Sequence, residues 1–235
     1  MTASNNRGAD NCPLPMTHDR LSEVHFFLDQ MLVHYHFPDR FRYSTNAFLG
    51  ATKSVVHMLT MELERAQQTE WSKQRRAEMR SDTILSAFST GRDIALHQRQ
   101  IVSGSQIEMG IFRYGRLKLA FNVAVAHDRS TYEMLEFAKQ QLIGFLMDEE
   151  HTAIGEQIGV RRIYKVPELS DSEDVVTASR RAWSRLSHVV ADAHALLGSQ
   201  SEPIPEDGDD HHDVDSVALL QETDVDPDAV KRWDW

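Results

Sequence analysis

At 235 residues, with 41% apolar and 26% charged residues, the chain has an ordinary globular composition and is long enough for one well-buried domain with extras. No apolar run approaches the ~18 to 20 residues that span a bilayer, the opening "MTASNNRGADNCPLP" lacks the basic start and apolar core of a signal peptide, and the single cysteine, Cys12, excludes internal disulfides and a four-thiolate zinc site. The net charge of −11 is local: residues 199 to 235 hold twelve Asp and Glu against Lys231 and Arg232, which leaves 24 acids and 23 Lys and Arg before them.

Residues 1 to 16 read as a disordered leader. From Thr17 the spacing is helical, with Leu21, Val24, Leu28, Met31 and Tyr35 recurring at steps of three and four. Phe37–Pro38–Asp39 breaks that helix, since proline disfavours helical geometry in the residue before it. A second helix is predicted from about Asp39 to Arg65, with Phe41, Thr45, Phe48, Thr52, Val55, Val56, Leu59 and Leu63 as its stripe. A short polar helix follows around Trp71 to Met79. Another starts near Asp82 as N-cap and carries Ile84, Leu85 and Phe88 inward.

The period then changes from helical to two. "QIEMGIFRYGRLKLAFNVAV" (106 to 125) alternates apolar and polar residues around Tyr114–Gly115 and predicts a β-hairpin. Ser130 or Thr131 caps a further helix through Tyr132, Leu135 and Leu142, continuing past His151 and broken up by Gly155 and Gly159. A last amphipathic helix is predicted from about Ser172 to Leu197, with Gly198 as its stop. The acidic segment from Ser199, with Pro203, Pro205 and Gly208, is expected to be disordered and ends with two tryptophans in its last three residues. The fold expected is therefore mainly α, an antiparallel helical bundle over 17 to 198 with an inserted hairpin.

Within the fourth predicted helix, "GRDIALHQRQ" (91 to 100) holds Arg92, Asp93 and His97. Histidine exchanges protons near neutrality, and arginine presents a planar, permanently charged fork to phosphate oxygens. The pair suits RNA cleavage without metal: a base takes the ribose 2′ proton, the oxygen attacks phosphorus, and a cation steadies the developing charge. The helical spacing complicates this, because residues five apart point about 140° away from each other. Either Gly91 starts the helix and frees Arg92, or the site forms across a two-fold axis with one group from each subunit.

Arg92–Asp93–Ile94–Ala95–Leu96–His97 resembles the R-x4-H motif of the HEPN superfamily, and the stretch from His25 to Leu59 resembles the two long helices that open such domains. The likeness covers about residues 17 to 102. It implies a dimeric all-α bundle with metal-independent endoribonuclease activity, often in toxins or defence proteins. By position, Arg92 would be the phosphate-facing cation, Asp93 the polar residue beside it and His97 the proton-transfer group.

Other candidates read more plainly. His25 and Asp29 share a helical face, and Asp148 precedes His151 by three, but a metal site from these positions needs long-range coincidence, so no metal or cofactor is expected. Lys73–Arg75–Arg76, Arg113–Arg116–Lys118 and Arg180–Arg181–Arg185 could track phosphates, although short charge runs are usually solvated faces. No phosphate loop, dinucleotide fingerprint or nucleophile elbow is present. The function expected is a cytoplasmic, homodimeric endoribonuclease. The rival is a non-catalytic helical dimer that docks a protein through its acidic tail, with no membrane partner in either case.

Overall fold

A computed structural model describes residues 12–102, 104–113, 116–126, 128–146, 157–170, 173–205 and 219–222. Within them the chain is mainly helical with one small antiparallel sheet. α1 (Pro15–Val33) and α2 (Pro38–Arg65) each begin on a proline, whose missing N–H is no loss in a first turn. They pack together as the long pair of the body, and α6 (Val175–Leu196) lies against both. α3 (Thr69–Ser81) and α4 (Thr83–His97) continue the bundle on the α2 side. Leu21, Val24, Leu28 and Met31 meet Phe41, Phe48 and Val55, and Val176, Ala182 and Leu186 of α6 complete this core. No described helix is long and apolar enough to cross a membrane.

β1 (Gly104–Arg113) and β2 (Arg116–Ala126) flank Tyr114–Gly115 and pair antiparallel, so the alternation in the sequence appears as a hairpin. It does not stand alone. β3 (Gln157–Ile163) adds antiparallel to the other edge of β1, and β4 (Leu219–Glu222) adds to β3, giving the order β2-β1-β3-β4. β3 corrects the expectation that the stretch past His151 is a helix broken by glycines. Gly159 there sits opposite Gly110 of β1, a strand position and not a helix stop. β4 is a strand within the acidic segment, where the sequence reading expects none. α5 (Thr131–Leu146) covers one face of the sheet, its Leu135, Ala138 and Leu142 packing on Ile107, Met109, Ile158 and Val160. On the opposite face Glu108 binds Arg161 across the strands at 2.6 Å.

The two cores meet at a buried polar junction. Asp174 caps α6, accepting from Val176 N–H at 2.8 Å, and its other oxygen accepts from Tyr164 N–H at 2.7 Å and Tyr35 O–H at 2.6 Å. Tyr35 also bonds the Arg162 carbonyl at 2.7 Å, and Tyr164 O–H donates to the Tyr35 carbonyl at 3.0 Å. The Arg162 side chain, 1% exposed, donates to Ser105 Oγ, Thr131 Oγ1 and the Arg129 carbonyl. The turn after α1, strands β1 and β3, and helices α5 and α6 are thus joined by one network.

Burial pushes the Asp174 carboxyl up from 3.8 to about 6, against the hydrogen bonds that pull it down. A raised carboxyl contributes stability that is fully present below 3.8 and lost as pH rises through about 6. His36 runs the other way: burial, and then Arg162, lower it to about 4, so its contribution is lost as pH falls from 6.5 toward 4. Asp174→Asn isolates the first effect. Its stability deficit relative to wild type, from urea unfolding, should shrink between pH 4 and pH 6. Asp174→Ala should cost about 2–4 kcal/mol at neutral pH, from the lost cap and the stranded donors.

Candidate functional site

Helix α4 opens on Asp82, whose Oδ1 accepts from Ile84 and Leu85 N–H at 2.9 Å, as the sequence leads one to expect. Phe88 and Gly91 form its buried face. Gly91 corrects one expectation. It lies inside the helix and does not start it, and it is small for packing: a Cβ there would stand 2.6 Å from Leu169 Cδ2 and 2.9 Å from Ile101 Cδ1. Arg92 and His97 therefore share one continuous helix, and their directions differ by about 140°.

Arg92 Nη1 donates to Asp93 Oδ1 at 2.8 Å, while its buried Nε has no partner among the described residues. That hydrogen bond, then the charge of Lys53, holds the exposed Asp93 carboxyl below its ordinary range. His97 closes the helix and is exposed, one turn beyond Asp93. Within one chain the segment brings Arg92 to Asp93. By helical phase alone Arg92 and His97 point apart, although the charges of both act on the Asp93 carboxyl.

A more organised feature lies beside it. Thr52, Lys53 and Val56 of α2, Arg76, Met79 and Arg80 of α3, and Ser86, Ser89 and Thr90 of α4 each fall on one helical face, and the three faces enclose a cavity of about 220 Å³. Val56, Met79, Leu85, Phe88 and Leu186 supply apolar lining, and no acid contributes. Lys53, Arg76 and Arg80 are exposed and form no ion pair among the described residues. Such an arrangement is chemically suited to an anion with an apolar body, the cations meeting charge and the hydroxyls hydrogen bonds.

The basic clusters of the sequence divide on folding. Lys73 pairs with Glu70 at 2.8 Å, and Arg75 with both Glu78 at 3.0 Å and Asp192 at 2.8 Å, so only Arg76 of that run faces the cavity. Arg181 is held by Glu173 at 2.9 Å. The side chains of Arg113 and Arg116 lie outside the described residues, as do Asp148, His151 and most of the acidic tail. His25 and Asp29 approach to 3.7 Å, and His25 also stacks on Trp183 with ring centres 4.5 Å apart. Reading Arg76, Met79 and Arg80 at steps of three and four, with Ser86, Ser89 and Thr90 at the same steps, could have signalled the cavity.

A family model described as bacteriophage lambda protein ea47 matches residues 6–218. No curated protein and no solved structure matches the chain. The match runs through the whole stretch from 17 to 102 and overturns the HEPN resemblance. R-x4-H fixes two positions in six, and two long helices before it are common property of helical proteins.

Replacing Gly91 by leucine should destabilise the protein by about 1–3 kcal/mol, through displacement of Leu169 and Ile101. Urea unfolding of wild type and Gly91→Leu measures it; equal midpoints would remove Gly91 as a packing constraint on α4.

Proposed function

We propose that this chain, which belongs to the bacteriophage lambda ea47 family, binds RNA in the cavity between α2, α3 and α4 and cleaves it without metal. The observation that supports the reading is the acid-free lining, with Lys53, Arg76 and Arg80 standing over Met79, Leu85 and Phe88. Phosphates would release counterions from the three cations. An unstacked base would occupy the apolar lining, which a bare phosphate leaves unused.

For cleavage, His97 takes the ribose 2′ proton and the oxygen attacks the adjacent phosphorus. Arg92 steadies the phosphate oxygens, Asp93 orients the guanidinium, and the 5′ oxygen leaves with a proton from solvent. Since Arg92 and His97 diverge on one helix, the step is assigned to two copies of the chain, each giving one group, and the working form is a homodimer. That same divergence favours a second reading: a helical dimer that binds without cutting and docks a protein partner through its acidic tail.

Fluorescence polarisation with labelled single-stranded RNA tests the binding. Three phosphate contacts predict a slope of about −2 in log affinity against log salt. Arg76→Glu with Arg80→Glu should abolish it. Incubation with RNA in EDTA, the fold being followed by circular dichroism, tests the chemistry. Wild type should cut, and Arg92→Ala and His97→Ala should each bind but not cut. Binding without cleavage by the wild-type dimer supports the second reading, and absence of both defeats the RNA assignment.

A further inference from the structure

We propose that Cys12, His18 and His194 form a binding site for one zinc-class divalent cation, tying the beginning of the described chain to the end of α6. The three residues come from distant parts of the sequence. Cys12 precedes α1, His18 lies in its first turn, and His194 is in the last turn of α6. Their potential ligand atoms lie within 4.8 Å of one another. His18 Nε2 meets His194 Nε2 at 2.6 Å, and Cys12 Sγ lies 3.8 Å from the same His194 nitrogen.

Ser199 Oγ lies 2.7 Å from His194 Nδ1 and 3.2 Å from the His194 carbonyl. In the tautomer protonated at Nδ1, Ser199 holds the back of the ring and Nε2 turns its lone pair toward Cys12 and His18, the form a metal ligand takes. The left-handed turn at Gly198, φ 76°, brings Ser199 back to this position. Glu62 is not a free ligand. Its oxygens accept from Met16 N–H, Thr17 N–H and Thr17 O–H at 2.9, 3.0 and 2.6 Å, which fixes the start of α1 and places negative charge beside the site.

Two nitrogens and one thiolate suit zinc, whose tetrahedral geometry keeps paired nitrogens ~3.3 Å apart and sulfur ~3.6 Å from nitrogen. The Cys12–His194 separation is already close to that. The imidazoles must part by roughly 0.7 Å, exchanging their mutual hydrogen bond for the metal. On binding, the Cys12 thiol gives its proton to solvent and the His18 proton moves to Nδ1, so one proton leaves per metal. The fourth position falls to water. A cavity of about 240 Å³ lined by His18, Ser22, His25 and Glu202 gives water access to the His18 side.

Cobalt(II) is the probe. Chelator-treated, dialysed full-length protein should bind one Co²⁺ per chain, with a thiolate-to-cobalt charge-transfer band and tetrahedral d–d absorption, and Zn²⁺ should displace it. Cys12 is the sole cysteine, so the band reports this thiol alone. Cys12→Ser should lose the band while keeping its circular dichroism, and His18→Gln should weaken binding at least about a hundredfold. Folded wild type with no saturable band overturns the proposal. So does a band whose affinity is unchanged in His18→Gln, which would mean thiolate capture without the imidazoles.

Discussion

The constraint on which the structure depends is a buried guanidinium with no carboxylate touching it among the described residues. Arg162 is satisfied by two hydroxyls and a backbone carbonyl, and its guanidinium lies 5.2 Å from the centre of the Tyr164 ring. An arginine so buried is costly unless every donor is met and its surroundings are fixed. The surroundings are fixed by aromatic packing, with Phe41 stacked on Tyr164 at 3.8 Å and Tyr35 edge-on to both. Asp174 then locks the two tyrosines to the start of α6. Helical body and sheet cannot shift against each other without breaking this arrangement.

That rigidity carries through to the cavity. α6 supplies Ala182 and Leu186 to its lining, and the position of α6 is set at its first residue by Asp174. α4 is set at one end by Asp82 and along its length by Gly91, which admits Leu169 and Ile101 so closely that a side chain there would have to displace them. The cations at the rim are therefore carried on elements whose spacing is decided elsewhere. Among the described residues they form no ion pair, and nearby acids are engaged elsewhere, Glu70 by Lys73, Glu78 and Asp192 by Arg75, and Asp93 by Arg92.

Local signals were legible wherever one residue type has one job. Pro38, Asp82, the alternation around Tyr114–Gly115 and Gly198 all mark element ends, because backbone geometry and capping act over a few residues. β3 was not legible. Its short "QIGVRRI" contains Gly159 and follows Gly155, and a glycine is found in strands as well as at helix breaks, so only pairing with β1 decides between the two. The cap of α6 shows the same limit at finer scale, since serines and acids crowd that segment and Asp174 is selected by what it meets across the fold. Arg92, Asp93 and His97 were visible as a motif, yet the phase of their helix, not the motif, governs what they can reach together. The Cys12–His18–His194 cluster was hidden because it is assembled from residues far apart in sequence.

The sheet has a further consequence at its margin. β4 satisfies the outer backbone groups of β3, from Gln157 to Val160, that would otherwise face solvent. A shortened polypeptide ending before Leu219 would offer that row of amides and carbonyls to any extended segment, including the corresponding one from a neighbouring molecule. Strand exchange and self-association would then compete with the native closure, which β4 supplies along that edge.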